Sequence, residues 1–92
     1  RVTVLHPDPN VLNQAANELS QRLRKYFPKK VLGPEYPPVS RIRNQYIKNM
    51  MVKLERDARL SESKAKLIKI VELFHAEPDY KRVRVILDVD PA

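Results

Sequence analysis

The stretch RIRNQYIKNMMVKLE, residues 41–55, decides the fold because it can be read with two different periods. At period two, Ile42, Tyr46, Met50, Val52 and Leu54 fall on one side, and Arg41, Arg43, Gln45, Asn49 and Lys53 on the other, as alternate residues of a strand do. Ile47 and Met51 break that alternation, and a bulge or bend near Lys48 accommodates them. At helical spacing, Ile47, Met50, Met51 and Leu54 also line up, so a helix is the competing reading. The strand reading is preferred, and it makes this segment the long third strand of a sheet.

Upstream, Val2-Thr3-Val4-Leu5 reads as a strand stopped by His6-Pro7-Asp8-Pro9. Asp8 suits a helix N-cap, and Pro9 suits the first helical position, where a missing N–H costs nothing. Leu12, Ala15, Ala16, Leu19, Leu23 and Tyr26 or Phe27 then recur at helical spacing until Pro28 ends the helix. Residues 30–33 form a second short strand closed by Gly33-Pro34, and residues 33–38 carry three prolines, which predicts a stiff, irregular connection. Downstream, Ser61 or Ser63 is placed to cap a second helix running to about Ala76. Leu67, Ile70, Val71 and Phe74 form its buried stripe, and Lys64, Lys66, Lys69 and Glu72 its wet side. Pro78-Asp79 makes a turn into a last strand over residues 82–90. There Val83, Val85, Leu87 and Val89 face one way, and Arg84, Ile86 and Asp88 the other.

The order strand, helix, strand, strand, helix, strand is the split βαβ pattern of the α+β class. It predicts a four-stranded antiparallel sheet with two helices on one face, the ferredoxin-like arrangement. The first and third strands are then central, the second and fourth are edges, and the other sheet face stays partly open.

Composition bounds the function. The 92 residues suffice for one small domain. The opening at Arg1 without Met and the closing Asp-Val-Asp-Pro-Ala lead us to expect a segment of a longer polypeptide, a processed small protein being the alternative. Eighteen Lys and Arg against 11 Asp and Glu leave a charge of +7, the electrostatic footprint of a nucleic acid or acidic peptide partner; a merely solubilising or ribosomal-type surface is the alternative. A single glycine, Gly33, excludes the glycine-rich loops that cradle nucleotide phosphates. The absence of cysteine excludes disulfides and thiolate metal sites within these residues. No apolar run approaches the length of a membrane span.

No catalytic constellation is expected in this chain. His6 and His75 lie in different elements, His6 at a strand end and His75 at a helix C-terminus, where positive charge suits the dipole. Asp88 and Asp90 project from one strand face without an evident third metal ligand, and pairing with a nearby Lys or Arg is the simpler expectation. The informative residues are basic. Arg41 and Arg43 on the third strand, with Lys53 further along, and Arg82 and Arg84 on the last strand repeat an i, i+2 spacing. If both arginine pairs lie on the open sheet face, they make a cationic surface interleaved with amides and suited to phosphate. Tyr46 is the lone aromatic there, so base stacking is not expected to dominate. A second basic set, Arg56, Arg59, Lys64 and Lys66, surrounds the start of the second helix, whose free N–H groups favour anions.

Several of these residues resemble a known family. Val31-Leu32-Gly33-Pro34, followed by Pro37, Pro38, Arg41, Arg43 and Tyr46, and the closing Val83-Arg84-Val85-Ile86-Leu87-Asp88-Val89-Asp90-Pro91 resemble the C-terminal domain of primosomal protein N′, the PriA-type replication-restart DNA helicases. His6-Pro7-Asp8 fits that family's opening strand and turn. The resemblance implies that residues 1–92 are one accessory domain. ATP-dependent helicase lobes with their Mg, a zinc-binding segment and an N-terminal DNA-binding domain would lie upstream. It implies that this chain is not itself an enzyme and needs no cofactor of its own. It further implies contacts with single-stranded or branched DNA, with other primosome proteins, with its own helicase core and with the acidic tail of single-stranded DNA-binding protein, in the nucleoid-associated cytoplasm of a bacterium. For that tail, alignment backward from Pro78-Asp79 places the family's contacts near Leu60 and Lys64; Leu60 does not match the family's arginine, Arg59 is next to it, and Arg59 and Lys64 are the residues carried over. Two other classes stay open beside it: an RNA-binding ribosomal-type or assembly domain, and a regulatory ligand-binding domain, since the fold alone does not decide function.

Overall fold

The computed structural model describes residues 1–54 and 59–88. The elements are β1 (Val2–His6), α1 (Pro9–Tyr26), β2 (Val31–Glu35), β3 (Arg41–Ile42), β4 (Gln45–Val52), α2 (Leu60–His75), a short 3-10 turn (Pro78–Tyr80) and β5 (Arg84–Leu87). The sheet runs β2-β4-β1-β5, antiparallel throughout, with β3 also paired to β4. Long β4 and β1 are central, as the split βαβ pattern requires, and β2 and β5 are edges.

One face of the sheet carries the core. Val2 and Val4 of β1 pair with Met50 and Lys48 of β4 and with Leu87 and Val85 of β5, so all of these share a face. Val2, Val4, Val31 and Met50 join Leu12, Ala15, Ala16, Leu19 and Leu23 of α1 and Leu67, Ile70, Val71 and Phe74 of α2 in a single buried cluster. Both helices therefore cover the same side. Fully buried Phe74 stacks on Tyr80, ring centres 4.6 Å apart and nearly parallel, which ties α2 to the turn before β5. Arg22 of α1 bridges Glu18 and Glu77, clamping α1 to the same turn.

Local signals explain the element ends. The Asp8 carboxylate accepts the Asn10 N–H at 2.9 Å, with Pro9 at the first helical position. His75 closes α2 with its Nε2 2.8 Å from the Val83 carbonyl oxygen. Gly33 sits at φ +96°, where a Cβ would lie 2.9 Å from the Asn49 carbonyl oxygen, so β2 passes β4 closely only because this residue is glycine. β2 runs on to Glu35 instead of closing at Gly33.

Three expectations are corrected. The sheet has five strands where four were expected, because residues 41–54 are not one bent strand. Arg43 and Asn44 adopt φ +51° and +64°, the left-handed pair of a two-residue mirror-image hairpin turn, and split the segment into β3 and β4. There is no bulge at Lys48, which pairs in register with Val4. α2 begins at Leu60 with Arg59 at the cap position and no side-chain cap, so neither Ser61 nor Ser63 caps it. β5 is assigned over Arg84–Leu87, and the expected continuation through Val89 and Asp90 lies outside the described residues.

Candidate nucleic-acid interface

The hairpin turn relocates the candidate cations. In a straight strand Arg41 and Arg43 would share a face with Gln45. The two-residue turn pairs Ile42 with Gln45 and Arg41 with Tyr46, which reverses the parity. Tyr46 packs partly against the core, so Arg41 stands on the helix side of the sheet, its guanidinium carbon 5.2 Å from the centre of the Tyr46 ring. Arg43 sits exposed at the hairpin tip, and Arg82 is exposed in the turn before β5. Arg84, opposite Leu5, lies on the open face.

All four arginines nevertheless cluster toward one end of the sheet, where β1 finishes and β4 and β5 begin. β3 and β5 occupy opposite edges there, three strand spacings or about 14 Å apart. Lys53 is at the other end, its N–H donating to the Lys30 carbonyl at 2.8 Å.

The open face is therefore not the amide-interleaved arginine surface expected from the sequence. Register assigns it Thr3, Leu5, Ile47, Asn49, Met51, Arg84 and Ile86. Ile47 is buried there, and Met51, Ile86 and Leu32 are exposed, so its centre is apolar and Arg84 is its basic margin.

The helix side holds what the sequence reading missed. Tyr36, in the proline-rich connection, donates its hydroxyl to Asn13 Oδ1 of α1 at 2.9 Å. The Lys48 ammonium lies 4.6 Å from the Tyr36 ring centre. Lys48 and Tyr46 are two residues apart on one face of β4, so two cation–aromatic pairs stand side by side. No periodic signal marks Tyr36, an isolated aromatic among prolines.

The second basic set surrounds the start of α2. Arg59, Glu62, Ser63, Ala65, Lys66 and Lys69 line a shallow, open depression there. Lys64 is half-buried and is not among the lining residues. The Lys66 ammonium lies 6.0 Å from the ring centre of exposed Tyr26 at the end of α1. Arg56 lies outside the described residues.

His6 uses its Nδ1 to accept the Asp8 N–H at 2.9 Å, and Asp88 forms an ion pair with Arg1 at 3.6 Å, while Asp90 is not described. Among the described residues, no three His, Asp or Glu side chains gather as a metal site, and no helix is long and apolar enough to cross a membrane.

Fold and site together define a small basic split βαβ domain whose distinctive surface is built from arginines, lysines and tyrosine rings. The sequence is 34% identical over 62 residues to replication restart protein PriA of Bacillus subtilis. That match covers 67% of this chain and 7% of the relative's length. No family model matches the sequence, and no solved structure matches it.

Proposed function

We propose that this chain is a nucleic-acid-binding accessory domain of a replication-restart DNA helicase, contacting single-stranded or forked DNA during primosome assembly. The observation that carries the reading is the gathering of Arg41, Arg43, Arg82 and Arg84 toward one end of the sheet in a chain of net charge +7. The similarity to a replication restart protein supports it. Arginine's planar fork of donors suits phosphate, and four such groups around one sheet end can follow a bent or branched backbone. Lys53 lies at the opposite end of the sheet and would meet a nucleic acid only as a separate contact. Catalysis, ATP with its Mg, and zinc belong in this reading to the remainder of the helicase.

The same reading gives the α2 entrance to the acidic tail of single-stranded DNA-binding protein. Arg59 and Lys64 were carried there by resemblance. The depression adds Lys66 and Lys69 as cations able to meet the tail's carboxylates.

Anisotropy titration of labelled dT oligonucleotide and of a forked duplex, over a series of salt concentrations, tests the DNA reading. Binding that weakens with salt, equally for unrelated sequences, is expected. Absence of binding at low salt would refute it. Tighter binding to structured RNA than to any DNA would favour the ribosomal-type alternative.

A further inference from the structure

Tyr36 is unusual in its setting. It is 49% exposed and stands outside the buried cluster, so folding gives no reason to hold a large aromatic ring there. Yet it is held. Its hydroxyl is bonded to Asn13, Lys48 lies against its ring, and Pro37 and Pro38 follow it and limit the backbone. An exposed ring fixed in advance has already lost the conformational freedom that a ligand would otherwise have to remove.

Next to it, Arg41 lies over Tyr46. Tyr46 rests on the core, so the planar guanidinium is the outer layer of that pair. Tyr46 and Lys48 are two residues apart on one strand face, an advance of about 6.6–6.8 Å. Adjacent nucleotides of an extended strand can bridge such a step. Register sets Glu35 beside Asn49, on the open face and away from these groups. The surface thus offers one tyrosine face, one guanidinium face and two positive charges, which is the chemistry that binds unpaired bases and their phosphates together.

We infer that Tyr36 and the Arg41–Tyr46 pair form a base-stacking platform for single-stranded nucleic acid on the helix side of the sheet, with Lys48 and Arg41 supplying its charge. The inference rests on the nucleic-acid reading above and adds that unpaired bases, not phosphates alone, are bound.

The test uses three fluorescent strands of equal length: dT, rU and an abasic deoxyribose phosphate strand of equal charge. The wild-type chain should bind dT about 5- to 150-fold more tightly than the abasic strand, the range that loss of a base–aromatic stack gives. Tyr36→Ala should reduce that preference several-fold while its abasic affinity and salt slope stay as in wild type, the remainder being that of the Arg41–Tyr46 pair, and Tyr36→Phe, which keeps the ring, should retain the full preference. Tighter binding of dT or of rU identifies the natural source of the bases, and either supports the platform. An unchanged thermal midpoint for Tyr36→Ala shows that its loss of affinity is not unfolding. Equal wild-type affinity for dT and abasic strands overturns the platform yet leaves the electrostatic reading intact, whereas no binding of any strand overturns both.

Discussion

Arg43→Asn should make the fold more stable and the function worse, the first through one dihedral angle and the second through one lost charge. Arg43 holds φ +51° at the first position of the β3–β4 turn, and Asn44 follows at +64°. For a residue with a Cβ, the left-handed region costs about 1–2 kcal/mol, and asparagine tolerates it because its short amide can bond locally. Asparagine or glycine is therefore the inexpensive choice at both turn positions. The chain uses asparagine at the second and arginine at the first. Its exposed side chain recovers nothing by burial. Relief of the strain should stabilise the domain by about 0.5–1 kcal/mol, which for a chain of this size raises the thermal midpoint by about 2–8 °C. Loss of one phosphate contact should at the same time lower the slope of log affinity against log salt by about 0.7 for a single strand. Circular dichroism melts and anisotropy titrations on the same protein measure the two effects. A midpoint that falls would show that the Arg43 side chain supports the fold. A midpoint that rises with an unchanged salt slope would show that the strain is not maintained for a phosphate.

The arginine pairs should separate by face. Arg41→Ala with Arg43→Ala and Arg82→Ala with Arg84→Ala should each lower the salt slope by about 1.4 if the nucleic acid wraps the sheet end, and a strand confined to the helix side leaves the second double variant at the wild-type slope. Gly33→Ala places a Cβ 2.9 Å from the Asn49 carbonyl oxygen at φ +96° and should destabilise the domain by about 1–3 kcal/mol in urea unfolding; an unchanged midpoint would mean that β2 shifts freely on β4. Burial first, then the negative field of Glu18 and Glu77, pushes the Tyr80 phenol above its ordinary value of 10.0. The folded chain then holds that proton where the unfolded chain has released it. Its stability contribution is complete below pH 10 and is lost as pH rises through the raised value; urea midpoints of wild type and Tyr80→Phe across alkaline pH should differ in that direction. Lys66→Glu combined with Lys69→Glu should weaken binding of a fluorescent acidic tail peptide several-fold, and Lys64→Glu should matter less because Lys64 lies off the depression; the opposite ranking would return the contact to Lys64.

The elements that carry a buried stripe were legible in the sequence. Leu12, Ala15, Ala16, Leu19 and Leu23 write a 3.6-residue period that solvent and a sheet can satisfy in only one way, and all five are buried. Asp8-Pro9 fixes the start of α1 through chemistry that acts within three residues. Val83, Val85 and Leu87 alternate with Arg84 and Ile86, and the structure keeps that alternation. The element order also gave the sheet topology and the shared helix face, but individual side-chain contacts between distant residues could not be read. The partner of Tyr36 is Asn13, on another element, whereas Arg59, Glu62, Ser63, Lys66 and Lys69 of the depression share a side by the helical spacing of α2 alone.

The misplaced arginines have a sharper cause. Strand reading by period two depends on counting, and a tight turn shifts the count without leaving glycine or proline to announce it. Asn44 is a turn former, but an arginine before it argues against a left-handed pair. The resulting parity error sends Arg41 to the open face on paper and to the helix side in the structure. The open face then keeps an apolar centre of Leu5, Ile47, Met51 and Ile86, which offers phosphate little. The helix side gains a guanidinium beside two tyrosine rings and a lysine. Local propensity and tertiary structure disagree at Arg43, and such conflicts gather where a residue is kept for something other than folding. The same two residues that defeat the sequence reading also bring Arg41 to the ring of Tyr46, two residues along the strand from the lysine that holds Tyr36. The local strain at the hairpin tip and the cationic aromatic surface beside it are consequently one arrangement.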